Sequence, residues 1–257
     1  MNFSLQLVAL GTILRRELNR ILRIWGQTLV PPAITMALYF VIFGNLVGSR
    51  IGQMHGFAYI DYIVPGLVMM SVIQNSYGNI VSSFFGSKFG RYVEEMLVSP
   101  MPSWVILTGY VLGALARGLM VGAIVLAISF CFTHIQFHHV WVTLSTFVLS
   151  AAVFALAGFI NAVYAKKFDD IAIVPTFILT PLTYLGGVFY SVELLPPFWR
   201  SVSEANPILY MVNAFRYGLL GISDVSLVTA YAVMIGAIVV LGAISLRLLE
   251  KGVGLRS

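Results

Sequence analysis

Six long apolar runs alternate with short polar or Gly/Pro-rich interruptions along this chain. They fall near Thr28 to Val47, Tyr62 to Phe84, Val105 to Phe132, Trp141 to Ala165, Ile171 to Phe189 and Leu227 to Leu246. A bilayer's hydrocarbon core is about 30 Å thick and a helix rises about 1.5 Å per residue, so roughly 20 apolar residues suffice for one crossing. The pattern predicts an all-α integral membrane protein of six transmembrane helices, one domain over residues 1–257. Before the first run the period changes: Leu14, Leu18, Ile21 and Trp25 recur at helical spacing, and Arg16, Arg20 and Arg23 gather opposite them. Residues 1–27 are therefore expected to form an interfacial helix along the inner membrane surface. Trp25 suits the interface, and the arginines can meet anionic headgroups at about 1 kcal/mol each.

Composition agrees with the pattern. Of 257 residues, 59% are hydrophobic and 10% charged, and the mean hydropathy is +0.93, which leaves too little charge to cover a water-soluble globule. The lone Cys131 excludes an intramolecular disulfide and a Cys-rich metal site. In the first twenty-five residues the cations follow the apolar positions instead of preceding them, so this segment reads as part of the mature protein rather than a cleaved leader. Six spans put both ends on one side. That side would hold Arg15, Arg16, Arg20, Arg23, Lys88, Arg91, Lys166, Lys167, Arg247, Lys251 and Arg256, and the other only Arg50, Arg200 and Arg216. By the positive-inside rule both termini are expected to be cytoplasmic.

One connection is richer than the rest. In "FFGSKFGRYVEEMLVSPMPSW", a helix over Phe85 to Val98 would place Phe85, Phe89, Tyr92, Val93, Met96 and Leu97 on one side, with Lys88, Arg91, Glu94 and Glu95 mostly away from it. An Arg91–Glu95 pair adds only about 0.2–0.5 kcal/mol to an exposed helix, so local folding hardly explains the charges. Pro100 and Pro102 end the helix. Residues 85–102 thus read either as an amphipathic rod that passes a push from a soluble partner to the membrane part, or as a solvated turn.

Arg117 lies inside a span, where a cation costs at least about 2.5–3.5 kcal/mol unless it faces protein or water. It shares a helical face with Gly109 and Gly113, and Gly113 with Ala116 permits another helix to approach closely. Pairing with Asn75, Asn161 or another subunit and contact with an anionic substrate group both fit Arg117. Later, "SVELLPPFWRSVSEANPILYMVNAF" is apolar but broken by Pro196, Pro197 and Pro207, so residues 190–213 are expected to form an outer re-entrant hairpin. Phe198, Trp199 and Tyr210 would line an exit gate there, or simply cover the outer face.

Several chemistries lack their residues. No Lys is followed by Ser or Thr, so there is no P-loop, and the chain itself is expected to bind neither ATP nor another cofactor. The histidines, His55, His134, His138 and His139, fall in expected outer loops without a nucleophile. "HIQFHH" has no neighbouring cysteine or carboxylate to complete a metal site, and "KKFDD" reads as an ion-paired turn.

Two stretches identify a family. "RYVEEMLVSPMPSWVILTGYVLG", Arg91 to Gly113, resembles the cytoplasmic coupling-helix region of ABC-2-type transporter permeases, and "LTPLTYLGGVFYSVELLPPFWRSVSEANPILYMVNAFRYGLLG", Leu179 to Gly221, resembles the region around their fifth span and outer hairpin. With the amphipathic start, the resemblance covers essentially the whole chain. It is closest to small bacterial inner-membrane permeases that export nodulation factors, drugs and polysaccharides. The resemblance implies a dimer working with a separate ATPase, which supplies the ATP and Mg site. It places Arg91, Glu94, Glu95, Met96, Leu97 and Pro100 at the ATPase contact. Lipids are the other expected partner, and nucleic acid is not expected. Against this stand an ATP-independent channel or secondary transporter, for which Asp61 is the sole carboxylate near a span, and a lipid-modifying enzyme, for which no catalytic group is present.

Overall fold

A computed structural model describes residues 2–133 and 137–254. Helix α1, Phe3–Arg23, leads into α2, Trp25–Ile51. Pro31 and Pro32 occupy the first turn of α2's straight part, where a missing N–H breaks no helical bond, and a widened π-helical turn runs over Ile42–Val47. A minimal hairpin follows, β1 Gln53–Met54 against β2 Phe57–Ala58, with both turn residues, His55 (φ 48°) and Gly56 (φ 82°), in the left-handed region. Then come α3 (Tyr59–Phe89), α4 (Tyr92–Val98), α5 (Ser103–Ser129), α6 (Val140–Tyr164), α7 (Asp170–Tyr184), α8 (Pro197–Glu204), α9 (Pro207–Leu220) and α10 (Leu227–Lys251).

Among the described residues, four helices are long and apolar enough to cross a membrane: α2, α5, α6 and α10. The long α3 is different. At 31 residues it spans about 46 Å, yet it carries Ser71, Asn75, Ser76, Asn79 and Ser83, all buried. Helices α5, α6 and α9 pack around it, so these groups meet protein rather than lipid. Shielding by neighbours is what permits such a sequence at the centre of the bundle. Close contacts depend on missing side chains: a Cβ on Gly158 of α6 would sit 2.7 Å from Ile80, and one on Gly66 would sit 2.5 Å from the Val188 carbonyl oxygen.

The close helix–helix approach anticipated at Gly113 with Ala116 is present at Gly113 and extends to Gly109, and the element that fills it is α1. A Cβ on Gly109 would lie 2.6 Å from Ile13 and one on Gly113 2.6 Å from Glu17. The amino-terminal helix therefore does not simply float on a surface. One side is docked on α5, while Phe3, Leu5, Leu7, Val8 and Leu22 remain exposed. Two further expectations need correction. The fifth apolar run is helical only from Asp170 to Tyr184, because Gly186 and Gly187 (φ 69°) turn the chain where Val188 seats against Gly66. The segment 190–213 comprises a 3₁₀ turn at Val192–Leu194 and α8, and its last part belongs to α9, which runs on unbroken to Leu220.

Filling the α1–α5 contact should loosen it. Gly113→Leu is expected to lower the apparent Tm by several degrees, through overpacking of about 1–3 kcal/mol. Gly236→Leu in α10, where a Cβ meets nothing within 4 Å, should leave it unchanged in the same nanodisc melting experiment.

Candidate functional site

The segment between α3 and α5 is not one helix. Helix α3 ends at Phe89, Gly90 closes its last turn by donating to the Gly86 carbonyl (3.0 Å), and Arg91 takes a left-handed conformation (φ 62°) before α4 starts. A non-glycine residue there is sparsely populated and costs of order 1–3 kcal/mol, so the surrounding packing holds it. Because Arg91 lies outside α4, the expected helical Arg91–Glu95 pairing does not apply. The apolar side is also divided: Phe85 and Val93 are buried, Met96 and Leu97 pack on the core, and Phe89, Tyr92 and Val98 are exposed. Arg91, Glu95 and Pro100 are exposed as well, whereas Glu94 is half-buried and engaged. Two anchors fix the base of this projection. Lys88 Nζ donates to the carbonyls of Val163 (2.5 Å) and Ala165 (2.7 Å) at the end of α6, and Phe168 packs on Phe85 and Phe89 with ring centroids 5.0 Å apart. Phe168 belongs to the "KKFDD" turn. There Asp170 accepts from the backbone N–H groups of Lys166 and Lys167, which hold its carboxyl below the ordinary carboxylate range.

Beside the projection lies a charge cluster that sequence inspection passed over. Glu17 of α1 is 1% exposed, and both its oxygens accept from the Ser83 hydroxyl at 2.6 Å. Arg16 and Arg20 approach the same carboxylate at 3.4 and 3.2 Å. Arg16 also donates to the Tyr110 hydroxyl of α5 (2.5 Å), which donates to Ser87 (2.9 Å), and Arg20 donates to Asn79 Oδ1 (2.8 Å). One acidic side chain thereby fastens α1 to α3, and its arginine partners extend the fastening to α5. An open cavity of about 630 Å³ adjoins this cluster, lined by residues of α1 together with Ser82, Ser83, Gly86, Ser87 and Tyr92.

Arg117 is mostly buried and donates to Asn75 Oδ1 at 3.3 Å, the first of the partners considered for it; Asn161 instead donates to the Ile171 carbonyl (3.5 Å). Asn75, with Ser71 and Gln74, lines a second cavity of about 280 Å³ that Pro31, Pro32, Thr35 and Met36 of α2 complete. Polar groups thus meet a small opening between the central helix and α2.

At the other end of the bundle lies Arg216, which the charge count assigned only to the side opposite the termini. It is fully buried in α9, lies over the Tyr62 ring at 4.1 Å, and donates to the Gly187 carbonyl (2.6 Å) and Asn213 Oδ1 (3.3 Å). Asn213 Oδ1 also accepts from the Asp224 N–H, and Asp224 accepts from Ser191 (3.0 Å) and the Val192 N–H (3.2 Å). This network pins the broken segment to α3. Phe198 and Trp199 are exposed neighbours on α8, and Tyr210, half-buried, donates to the Glu204 carbonyl (2.8 Å). Among the described residues no cluster of three potential metal ligands occurs; His134 lies outside them.

The sequence matches the family described as ABC-2 type transporter over residues 8–220. It is 60% identical over 251 residues to the Inner membrane transport permease YadH of Escherichia coli (strain K12), covering 97% of this chain and 98% of that protein. It is 22% identical over 185 residues to Nodulation protein J of Rhizobium leguminosarum bv. trifolii, covering 72% and 71%.

Removing one member of a buried ion pair costs about 3–5 kcal/mol, and the exposure of Arg16 and Arg20 (45% and 25%) reduces this to about 2–3 kcal/mol. Glu17→Gln should therefore lower the apparent Tm in nanodiscs by roughly 5–10 °C. An unshifted melting curve would show that α1 is held by its apolar contacts alone.

Proposed function

Because the chain belongs to the ABC-2 type transporter family, we propose that it is the permease subunit of an ATP-driven exporter of a bacterial inner membrane. In this reading it works as a dimer with two copies of a separate ATPase. Both termini and α4 face the cytoplasm, and an amphipathic substrate of lipid, glycan or drug type moves outward. The single observation that carries the reading is the projection around Gly90 and Arg91. Exposed Phe89, Arg91, Tyr92, Glu95 and Val98 stand on a base clamped by Lys88 and Phe168, so a force applied there acts directly on the central helix. A solvated turn needs neither the strained Arg91 nor three exposed apolar side chains. The full-length relation to a protein described as an inner membrane transport permease supports the same reading.

The four apolar helices, the shielded α3, and the short α7 together with α8 and α9 make up six crossings, the last of them completed by a re-entrant outer hairpin. The cavity of Asn75, Gln74 and Ser71, with Arg117 behind Asn75, then offers a polar foothold on an apolar path, and the Phe198–Trp199 pair flanks the exit. An ion-coupled carrier would use Asp61 as its carboxylate. That residue sits in the first turn of α3 and is already engaged.

Replacing exposed groups tests the contact without disturbing the core. Glu95→Lys with Val98→Lys should leave the melting temperature of the permease unchanged. It should weaken co-purification with the proposed ABC ATPase partner by tenfold or more, since 1.4 kcal/mol already corresponds to a factor of ten. The isolated chain should not hydrolyse ATP, and the complex should. Equal co-purification and equal ATP turnover with the double variant would place the ATPase contact elsewhere; hydrolysis by the isolated chain would overturn the assignment.

A further inference from the structure

The cavity beside Glu17 has a chemistry that neither helix packing nor an ATPase contact uses. Besides Glu17, α1 lines it at helical spacing with Thr12, Arg15, Arg16, Asn19, Arg20 and Arg23, and α3 supplies the hydroxyls of Ser82, Ser83 and Ser87 opposite them. Four guanidinium groups therefore face one carboxylate. That carboxylate is already saturated: it accepts from Ser83 and is approached by both Arg16 and Arg20. Among the described residues neither Arg15 nor Arg23 has an ion pair. Arg20 Nε, on a lining residue, is a buried donor without an acceptor. A concentration of unused donors and uncompensated positive charge in a shaped opening is a demand for an anion, and bidentate arginine geometry matches phosphate oxygens best.

We propose that this cavity binds a phosphate group, carried by the headgroup of an anionic lipid. The lipid source follows from what surrounds the opening. On the same helix Leu22 is 57% exposed, Trp25 (59%) begins α2 two residues after Arg23, and both are suited to acyl chains next to a phosphate. From Arg16 to Arg23 the cations extend about 10 Å along the helix, room for a glycerophosphate headgroup rather than a single small ion. The rigid pairs Arg16–Tyr110 and Arg20–Asn79 set two of the four cations in advance, which lowers the ordering cost of binding. This proposal does not rest on the transport reading.

The test uses the purified full chain without any ATPase, delipidated in detergent, with binding of phosphatidylglycerol, phosphatidylcholine and inorganic phosphate read by native mass spectrometry and by ligand-induced change in Tm. Phosphatidylglycerol should bind at least tenfold more tightly than phosphatidylcholine. Arg15→Gln with Arg23→Gln, which leaves the Glu17 pairs intact, should weaken it at least tenfold. Asn19→Phe, which narrows the opening while keeping every charge, should weaken it comparably, and Arg50→Gln at the far end should not. Displacement of the lipid by millimolar inorganic phosphate would keep the phosphate site but assign it to the free anion. Equal affinity for the two lipids, or phosphatidylglycerol binding that Asn19→Phe leaves unchanged, would reduce the cavity to diffuse surface charge and overturn the proposal.

Discussion

A carboxylate taken out of water must be paired, and the burial of Glu17 sets the terms for one whole end of this protein. Its position on α1 brings that helix within 2.6 Å of a virtual Cβ on Gly113, its oxygens hold Ser83 of α3, and its two arginines reach Tyr110 of α5 and Asn79 of α3. Three elements far apart in sequence are joined through one side chain. The arginine-walled cavity is a consequence of the same geometry, since helix α1 carries three more cations than its single glutamate neutralises.

The same rule, that polar groups inside an apolar surrounding are satisfied by protein, organises the rest of the bundle. The central α3 carries Ser71, Asn75, Ser76, Asn79 and Ser83, and the packing of α5, α6 and α9 around it buries them. Arg117 and Arg216 each sit against this helix, one on Asn75 and one over Tyr62. The outer helices α2 and α10 are exposed over most of their length, and α10 is the most apolar of the four helices long enough to cross a membrane. The cavity beside Asn75 lies where the buried polar positions of α3 meet α2.

Much of this was legible in the sequence because it depends on local pattern. Hydropathy placed α5, α6 and α10 within a few residues of their ends, and Gly113 marked a close helix approach. The Asn75 partner of Arg117 was among those anticipated, since few polar groups exist at that depth. What escaped depends on contacts between distant residues. Glu17 among four arginines reads as a surface ion pair until Ser83, 66 positions away, is seen against it. Arg216 looks like a loop cation next to a proline-broken segment, and only the return of α9 onto Tyr62 buries it. The break after Phe89 had a signal in Gly90, but the apolar period runs through it, and the left-handed Arg91 has no compositional mark.

These contacts make a mechanical claim: α1, the lower part of α3 and the projection at α4 form one rigid unit rather than a surface helix loosely tethered to a loop. Spin labels at Ser4→Cys on α1 and Val98→Cys at the tip of α4, in a Cys131→Ser background, measure that directly by pulsed electron resonance in nanodiscs. The expected result is one narrow distance distribution. A broad or multi-peaked distribution would contradict that claim.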